Sequence, residues 1–267
     1  MADVTDTKAL TDGDDAFAAL VEAGRTHVPD VEFAGGTVQR TSISEQVSGR
    51  ILAMLRSGNL KSGDQLPTEA QMCLAFGISR PPLREALKAL TLMGVLKSRQ
   101  GGRYTVTDLS PSRLVAPFNI MLSVADYDII VQSEARAAVE LELVRLCTER
   151  ADDAHCARIL SLAKDGYAFH DDPVGFRLLD AEYHKAINEG AQNTLLSAIS
   201  DGLYNVAVEA RRRASSTPGV IEISVAQHCE VAEAIAARDA TGAIAAYRAH
   251  LDHVRDTTIR ALHEMTE

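Results

Sequence analysis

The run at 66–106, LPTEAQMCLAFGISRPPLREALKALTLMGVLKSRQGGRYTV, alternates short apolar stretches with chain breakers so closely that few arrangements accommodate it. Thr68 is placed to N-cap a first helix carrying Met72, Leu74, Ala75 and Phe76, and Gly77, which tolerates a positive φ, stops it. A second helix begins almost at once, with Ser79 as N-cap and Pro81-Pro82 in a first turn whose amides need no intrahelical acceptor. Leu83, Ala86, Leu87 and Leu90 form its buried stripe. Gly94 ends it, Val95-Leu96 opens a strand, and Gln100-Gly101-Gly102-Arg103 makes a tip from which Tyr104-Thr105-Val106 returns. Two helices joined by a glycine-containing turn and followed by a two-stranded wing constitute a winged helix-turn-helix.

Arg80 stands in the first turn of the second helix, where the helix dipole disfavours a cation, and Arg84 lies one turn on. A cation is at home there when an anion docks, as phosphates and guanine edges do against the N-terminal end of a recognition helix. The charge distribution agrees. The chain carries −10 overall, but residues 41–108 are net +4, against −5 for 1–40 and −9 for 109–267. A basic module beside acidic ones localises attraction for phosphate.

The segment resembles the winged helix-turn-helix of the GntR family of bacterial transcription regulators. The matching residues are Gly63-Asp64-Gln65-Leu66-Pro67-Thr68-Glu69, Ser79-Arg80, Leu83-Arg84-Glu85-Ala86-Leu87 and the run into the wing from Gly94. The resemblance implies that Ser79, Arg80, Arg84 and the wing-tip glycine, Gly101 or Gly102, contact double-stranded operator DNA, and the glycine-rich, basic tip with Gln100 and Arg103 can approach a groove closely. Many members carry a DNA-contacting arginine after the glutamate of this motif; Ala70 stands here and weakens phosphate anchoring.

Residues 1–40 are polar and acidic and read as a mobile arm. A helix over 42–57, with Ile43, Val47, Ile51, Leu52 and Leu55 on one face, opens the DNA-binding domain at 41–108, and a short linker precedes a domain at 112–267. There the periodicity predicts helices near 112–124, 127–150, 152–169, 173–190, 192–213, 219–237 and 240–264. The expected fold is mainly α: an N-terminal winged helix-turn-helix plus a C-terminal all-α antiparallel helical bundle. Four cysteines without paired spacing suit buried small hydrophobes in a reducing cytoplasm. With no signal segment or membrane-length apolar run, the expected location is cytoplasmic, with no membrane partner.

Within the bundle, Asp180 and His184 are one helical turn apart, close enough to share a metal ion. His228 and His250 are equidistant from Asp239, where two helices turn, so an antiparallel hairpin brings them level. If the 180 helix packs on this hairpin, one carboxylate and three imidazoles converge in a set suited to zinc, nickel or manganese. Such coordination weakens as pH falls through the imidazole range near 6.5.

These residues carry a second resemblance, to the helical effector domain of the FadR subfamily, the FCD type: Arg136-x-x-x-Glu140, Asp180-x-x-x-His184, Asn193 after a helix break, His228 and His250. The resemblance implies a divalent metal whose open positions accept a carboxylate or hydroxy-acid effector, with Arg136 and Asn193 at the effector. Arg136 alternatively ion-pairs with Glu140 one turn away. The expectation is therefore a homodimeric, effector-controlled transcription regulator, a repressor and not an enzyme. The competing class is a metal-dependent hydrolase or lyase using the same aspartate and three histidines; a purely structural metal is a third reading.

Overall fold

The structure, a computed structural model, describes residues 41–99, 103–125, 127–205 and 208–264. The sequence reading of 1–40 as an arm lies outside these residues, as do Gln100, Gly101 and Gly102 of the wing tip. The described residues divide into two compact units, the first ending at Pro117 and the second beginning at Phe118.

In the first unit, α1 (Ile43–Arg56), α2 (Glu69–Phe76) and α3 (Arg80–Leu92) precede β1 (Leu96–Arg99) and β2 (Arg103–Val106). Helices α1 and α2 both start on a reciprocal capping box. Ser42 pairs with Glu45, and Thr68 with Gln71, each satisfying two amides that the first turn leaves without partners. Gly77 closes α2 at φ +66°, a left-handed conformation that a Cβ would strain. Gly94 sits at φ +74°, and a Cβ there would lie 2.5 Å from the Arg113 carbonyl oxygen, so the turn into β1 requires glycine twice over.

The two strands are antiparallel from Leu96 opposite Val106 to Arg99 opposite Arg103. On its other edge β2 takes hydrogen bonds with Asp64 and Leu66, which anchors the segment leading into α2. Val47, Ile51, Leu66, Met72, Leu83, Leu87, Leu90, Leu96 and Val106 form one core beneath all five elements. The expected stripe of α3 is buried as read, whereas Leu74 of α2 is 86% exposed and Ile43 of α1 faces outward.

The second unit is helical, entered through α4 (Pro111–Val124), which bridges the division between units. It contains α5 (Ile129–Arg150), α6 (Asp153–Asp165) with a 3-10 turn at Gly166–Phe169, α7 (Pro173–Gly190), α8 (Thr194–Asn205), α9 (Val208–Ala214), α10 (Val220–Ala236) and α11 (Ala240–His263). The single helix expected over 152–169 thus tightens into a 3-10 turn at its end. That expected over 192–213 is described as α8 and α9, with the residues between outside the described set. Helices α10 and α11 fold back on each other about Arg238, held at φ +60°. The Arg238 guanidinium donates to the Thr148 carbonyl (3.1 Å) and to Asp153 (2.8 Å), so the hairpin turn also ties down the carbonyl end of α5. Leu143, Val144, Cys147, Ile159, Tyr183, Ile187, Val231, Ile235 and Ala243 pack at the centre, and all four cysteines are free thiols.

Candidate functional sites

The hairpin and α7 assemble the anticipated cluster. His184 from α7, His228 from α10 and His250 from α11 are 8%, 3% and 2% exposed, and their ligand nitrogens lie within 4.8 Å of one another. His228 Nε2 and His250 Nε2 are 3.3 Å apart. Asp180 Oδ1 lies 3.4 Å from His184 Nε2 and 3.5 Å from His228 Nε2. Donors about 2.1 Å from a shared ion stand roughly 3.0–3.4 Å from one another in octahedral or tetrahedral geometry. The three histidines are therefore grouped closely enough to hold a divalent ion, with Asp180 beside two of them, and a bound ion would supply a Lewis-acidic point for an oxygen ligand.

Hydrogen bonds orient the imidazoles. The Tyr247 hydroxyl donates to Glu140 Oε2 at 2.9 Å, so its oxygen is left to accept from His184 Nδ1 at 2.8 Å. That places the His184 proton on Nδ1 and its lone pair on Nε2, toward Asp180. His250 Nδ1 likewise faces Gln227 Oε1 at 3.3 Å, leaving Nε2 for the cluster. Tyr204 donates to Asp180 Oδ2 at 2.8 Å, so Oδ1 is the oxygen presented to the imidazoles. The Tyr183 ring stacks on His228 at 4.3 Å between centroids and fixes its plane.

The electrostatics oppose protons on Asp180 and on two of the imidazoles. Burial opposes charge on Asp180, yet His184, His228 and His250 hold its carboxyl well below the usual carboxylate range. Burial, opposed by Asp180 and reinforced by His184, pushes the His228 imidazole down to about 3. Burial with His228 and His184 pushes His250 well below its ordinary value. Both rings are neutral near pH 7, as coordination requires. For these two the loss of coordination expected near pH 6.5 moves lower.

Arg136 makes the ion pair with Glu140 that the sequence offered as its alternative role. Its guanidinium donates to Glu140 through Nε (2.8 Å) and Nη2 (3.2 Å), and it also lines a cavity of about 90 Å³ beside Asp180, His184 and His250. A water needs roughly 10–15 Å³ by that measure, so about six water-sized groups fit. Asn193 is not brought to this cavity: its Oδ1 caps α8 by accepting from the Leu196 amide at 3.1 Å. Tyr204, Tyr247 and Arg211, which the sequence reading did not name, complete the surroundings together with Gln227. Their only sequence signal is a polar group recurring on an apolar helical face. A larger cavity of about 320 Å³ lies across His184, with Glu140, Glu182 and Asp201 against Lys185 in its lining, a poor match for an anion.

In the first unit, Ser79 occupies the N-cap of α3, but its hydroxyl makes no capping bond. The reason is local: the amides such a cap accepts from belong to the two residues after Arg80, and these are Pro81 and Pro82. An exposed hydroxyl is thus left beside the exposed Arg80 at the helix N-terminus. Arg84 is 58% exposed and held by Glu69 at 2.8 Å, and Arg103 at the start of β2 is exposed and reaches Gln65 at 3.5 Å.

Comparison with known proteins follows these two units. Residues 43–106 match the bacterial regulatory proteins of the gntR family, and residues 132–253 match the FCD domain. The chain is 31% identical over 229 residues to the HTH-type transcriptional regulator YcbG of Bacillus subtilis (strain 168), covering 85% of this chain and 95% of that protein. It is 33% identical to the provisionally named L-lactate dehydrogenase operon regulatory protein of Escherichia coli (strain K12), covering 82% and 87%. It is 27% identical to the transcriptional repressor NanR of Salmonella newport (strain SL254), covering 82% and 86%. Among solved structures, a Streptococcus agalactiae GntR protein shares the fold with a TM-score of 0.51 at 21% identity, covering 80% of this chain and 99% of that one.

Proposed function

Since the chain belongs to the GntR family of bacterial regulatory proteins, a DNA-binding transcription regulator with an FCD domain and not an enzyme, we propose that a small organic acid, held at a divalent metal in the helical unit, controls its grip on operator DNA. The observation that carries this reading is the open cavity beside the Asp180, His184, His228 and His250 set, with Arg136 in its wall. An ion there keeps positions free for a carboxylate or α-hydroxyl oxygen, and Arg136 has Nη1 left for the same ligand after Glu140 takes Nε and Nη2.

The protein acts as a homodimeric repressor in the cytoplasm, reading a two-fold operator through Ser79, Arg80, Arg84 and the wing, because one recognition helix spans too few base pairs for useful specificity. Among the described residues no helix is long and apolar enough to cross a membrane. Two relatives fit: NanR is named a repressor, and the Escherichia coli relative is named for an operon that handles a hydroxy acid. Effector binding favours the state that holds operator less tightly, with a coupling of roughly 1–3 kcal/mol. The hydrogen-bonded chain Arg136–Glu140–Tyr247–His184 links the acid-binding end of the cavity to a metal ligand, so acid and metal sense each other.

The test is elemental analysis and gel-shift titration of His228→Ala and His250→Ala. Both lose metal and effector-dependent release of operator, while effector-free DNA binding stays intact. Full metal occupancy in both variants, or an unchanged effector response in metal-free protein, refutes the reading.

A further inference from the structure

The charge in the wall of the same cavity is lopsided. Arg136, Arg177, Arg211 and Arg212 line it against a single carboxylate, Asp180. Arg136 is already answered by Glu140, which holds two of its nitrogens, and Arg177 donates to Ser215 Oγ at 3.3 Å. Arg211 differs. Its Nη2 is shut off from solvent and finds no hydrogen-bond partner among the described residues. Its guanidinium carbon lies over the Tyr204 ring, 4.4 Å from the centroid, and that of Arg136 lies 5.7 Å from the same centroid. The ring face steadies a cation but supplies no acceptor, and an unanswered buried donor atom is costly unless a ligand supplies one.

We propose that the effector of this cavity carries two anionic groups, one at the metal and Arg136 and a second that Arg211 receives. The inference rests on the reading of the cavity as the effector site. It narrows that reading from organic acids in general to dianions, hydroxy-diacids being the simplest. Formal charge supports the choice. A divalent ion and the guanidiniums of Arg136, Arg177, Arg211 and Arg212, set against the carboxylates of Glu140 and Asp180, leave a positive excess that a dianion reduces further than a monoanion does. Burial, with Arg136 nearby, lowers the Arg211 pKa to about 10, so the group is still a cation near pH 7. The Tyr204 hydroxyl is occupied by Asp180, so the ring positions Arg211 and the guanidinium does the recognising.

The experiment titrates zinc-loaded full-length protein calorimetrically with two monoacids, lactate and 2-hydroxybutyrate, and two diacids, malate and 2-hydroxyglutarate. At least one diacid binds the unaltered protein about tenfold or more tightly than either monoacid, the scale of one charge-assisted contact. Arg211→Gln removes that advantage and leaves monoacid affinity and zinc content unchanged, and Arg211→Lys, which keeps the charge, restores part of it. Monoacids binding as tightly as diacids overturn the inference while the effector site stands. So does an equal weakening of both classes by Arg211→Gln, the signature of one carboxylate bridging the two arginines. Loss of zinc in both Arg211 variants also overturns it, because Arg211 would then support the metal ligands. If none of the four acids binds the zinc-loaded protein, the effector-site reading falls and the inference with it.

Discussion

Replacing Tyr247 by Phe deletes one oxygen from the middle of the site and leaves its shape otherwise intact. That oxygen accepts from His184 Nδ1 at 2.8 Å and donates to Glu140 Oε2 at 2.9 Å, in a residue 3% exposed, so water has little access to replace it. Glu140 keeps its two bonds from Arg136, which places its loss at the lower end of the range for a disturbed buried group. The His184 N–H loses its partner outright. At about 1–3 kcal/mol for each orphaned buried group, the variant is destabilised by roughly 2–4 kcal/mol. Metal affinity falls as well, because His184 is no longer held in the tautomer that directs Nε2 toward Asp180. Loss of such an orienting partner weakens binding by about 10–100-fold, equivalent to roughly 1.4–2.7 kcal/mol. Urea unfolding of the chelator-treated protein, followed by helical circular dichroism, reads the first effect, and zinc competition against a chromophoric chelator reads the second. Metal-free operator binding serves as the control and stays unchanged. Zinc affinity equal to that of the unaltered protein refutes the assigned tautomer and with it the role of Tyr247.

On the DNA side, Arg80→Ala and Arg84→Ala each weaken operator binding by about 1–3 kcal/mol if they read bases, measured by gel shift at fixed salt with the helical content unchanged; normal affinity in both removes α3 as the recognition helix. Below pH 6.5 the unfolded chain takes up protons that His228, pushed down to about 3, refuses in the folded state. Folding stability of metal-free protein therefore falls as pH drops, by roughly 2 kcal/mol per such imidazole between pH 6.5 and 5, and His228→Gln shows a shallower slope in denaturant titrations at the two pH values. Light scattering finds a dimer for the full chain and for the fragment 112–267; a monomeric fragment moves the subunit contact to the N-terminal half.

The winged helix-turn-helix was legible because its determinants are local. A capping hydroxyl, a glycine at positive φ and an apolar stripe at helical spacing act within a few residues, so Thr68, Gly77 and the Leu83–Leu90 stripe read the same way in the chain and in the fold. Even the uncapped Ser79 follows from the two prolines behind it. The candidate ligands were legible pair by pair for a related reason. Helical periodicity fixes Asp180 against His184, and a hairpin about Asp239 fixes His228 against His250, whose nitrogens the structure places 3.3 Å apart.

Tertiary packing alone decided which side chains answer those groups. Tyr247 reaches Glu140 across 107 residues of chain and His184 across 63, and Tyr204 reaches Asp180 across 24. No periodicity encodes such pairings, because they depend on how α5, α7, α8 and α11 dock rather than on the order of residues within any of them. The same holds for Asn193, whose place after a helix break suits a cap and a ligand contact equally until packing sets it at the start of α8 and away from the cavity. It holds for Arg211 too: in the sequence it is the first of three consecutive arginines, and only packing against Tyr204 sets this half-buried residue apart from the exposed Arg212 and Arg213.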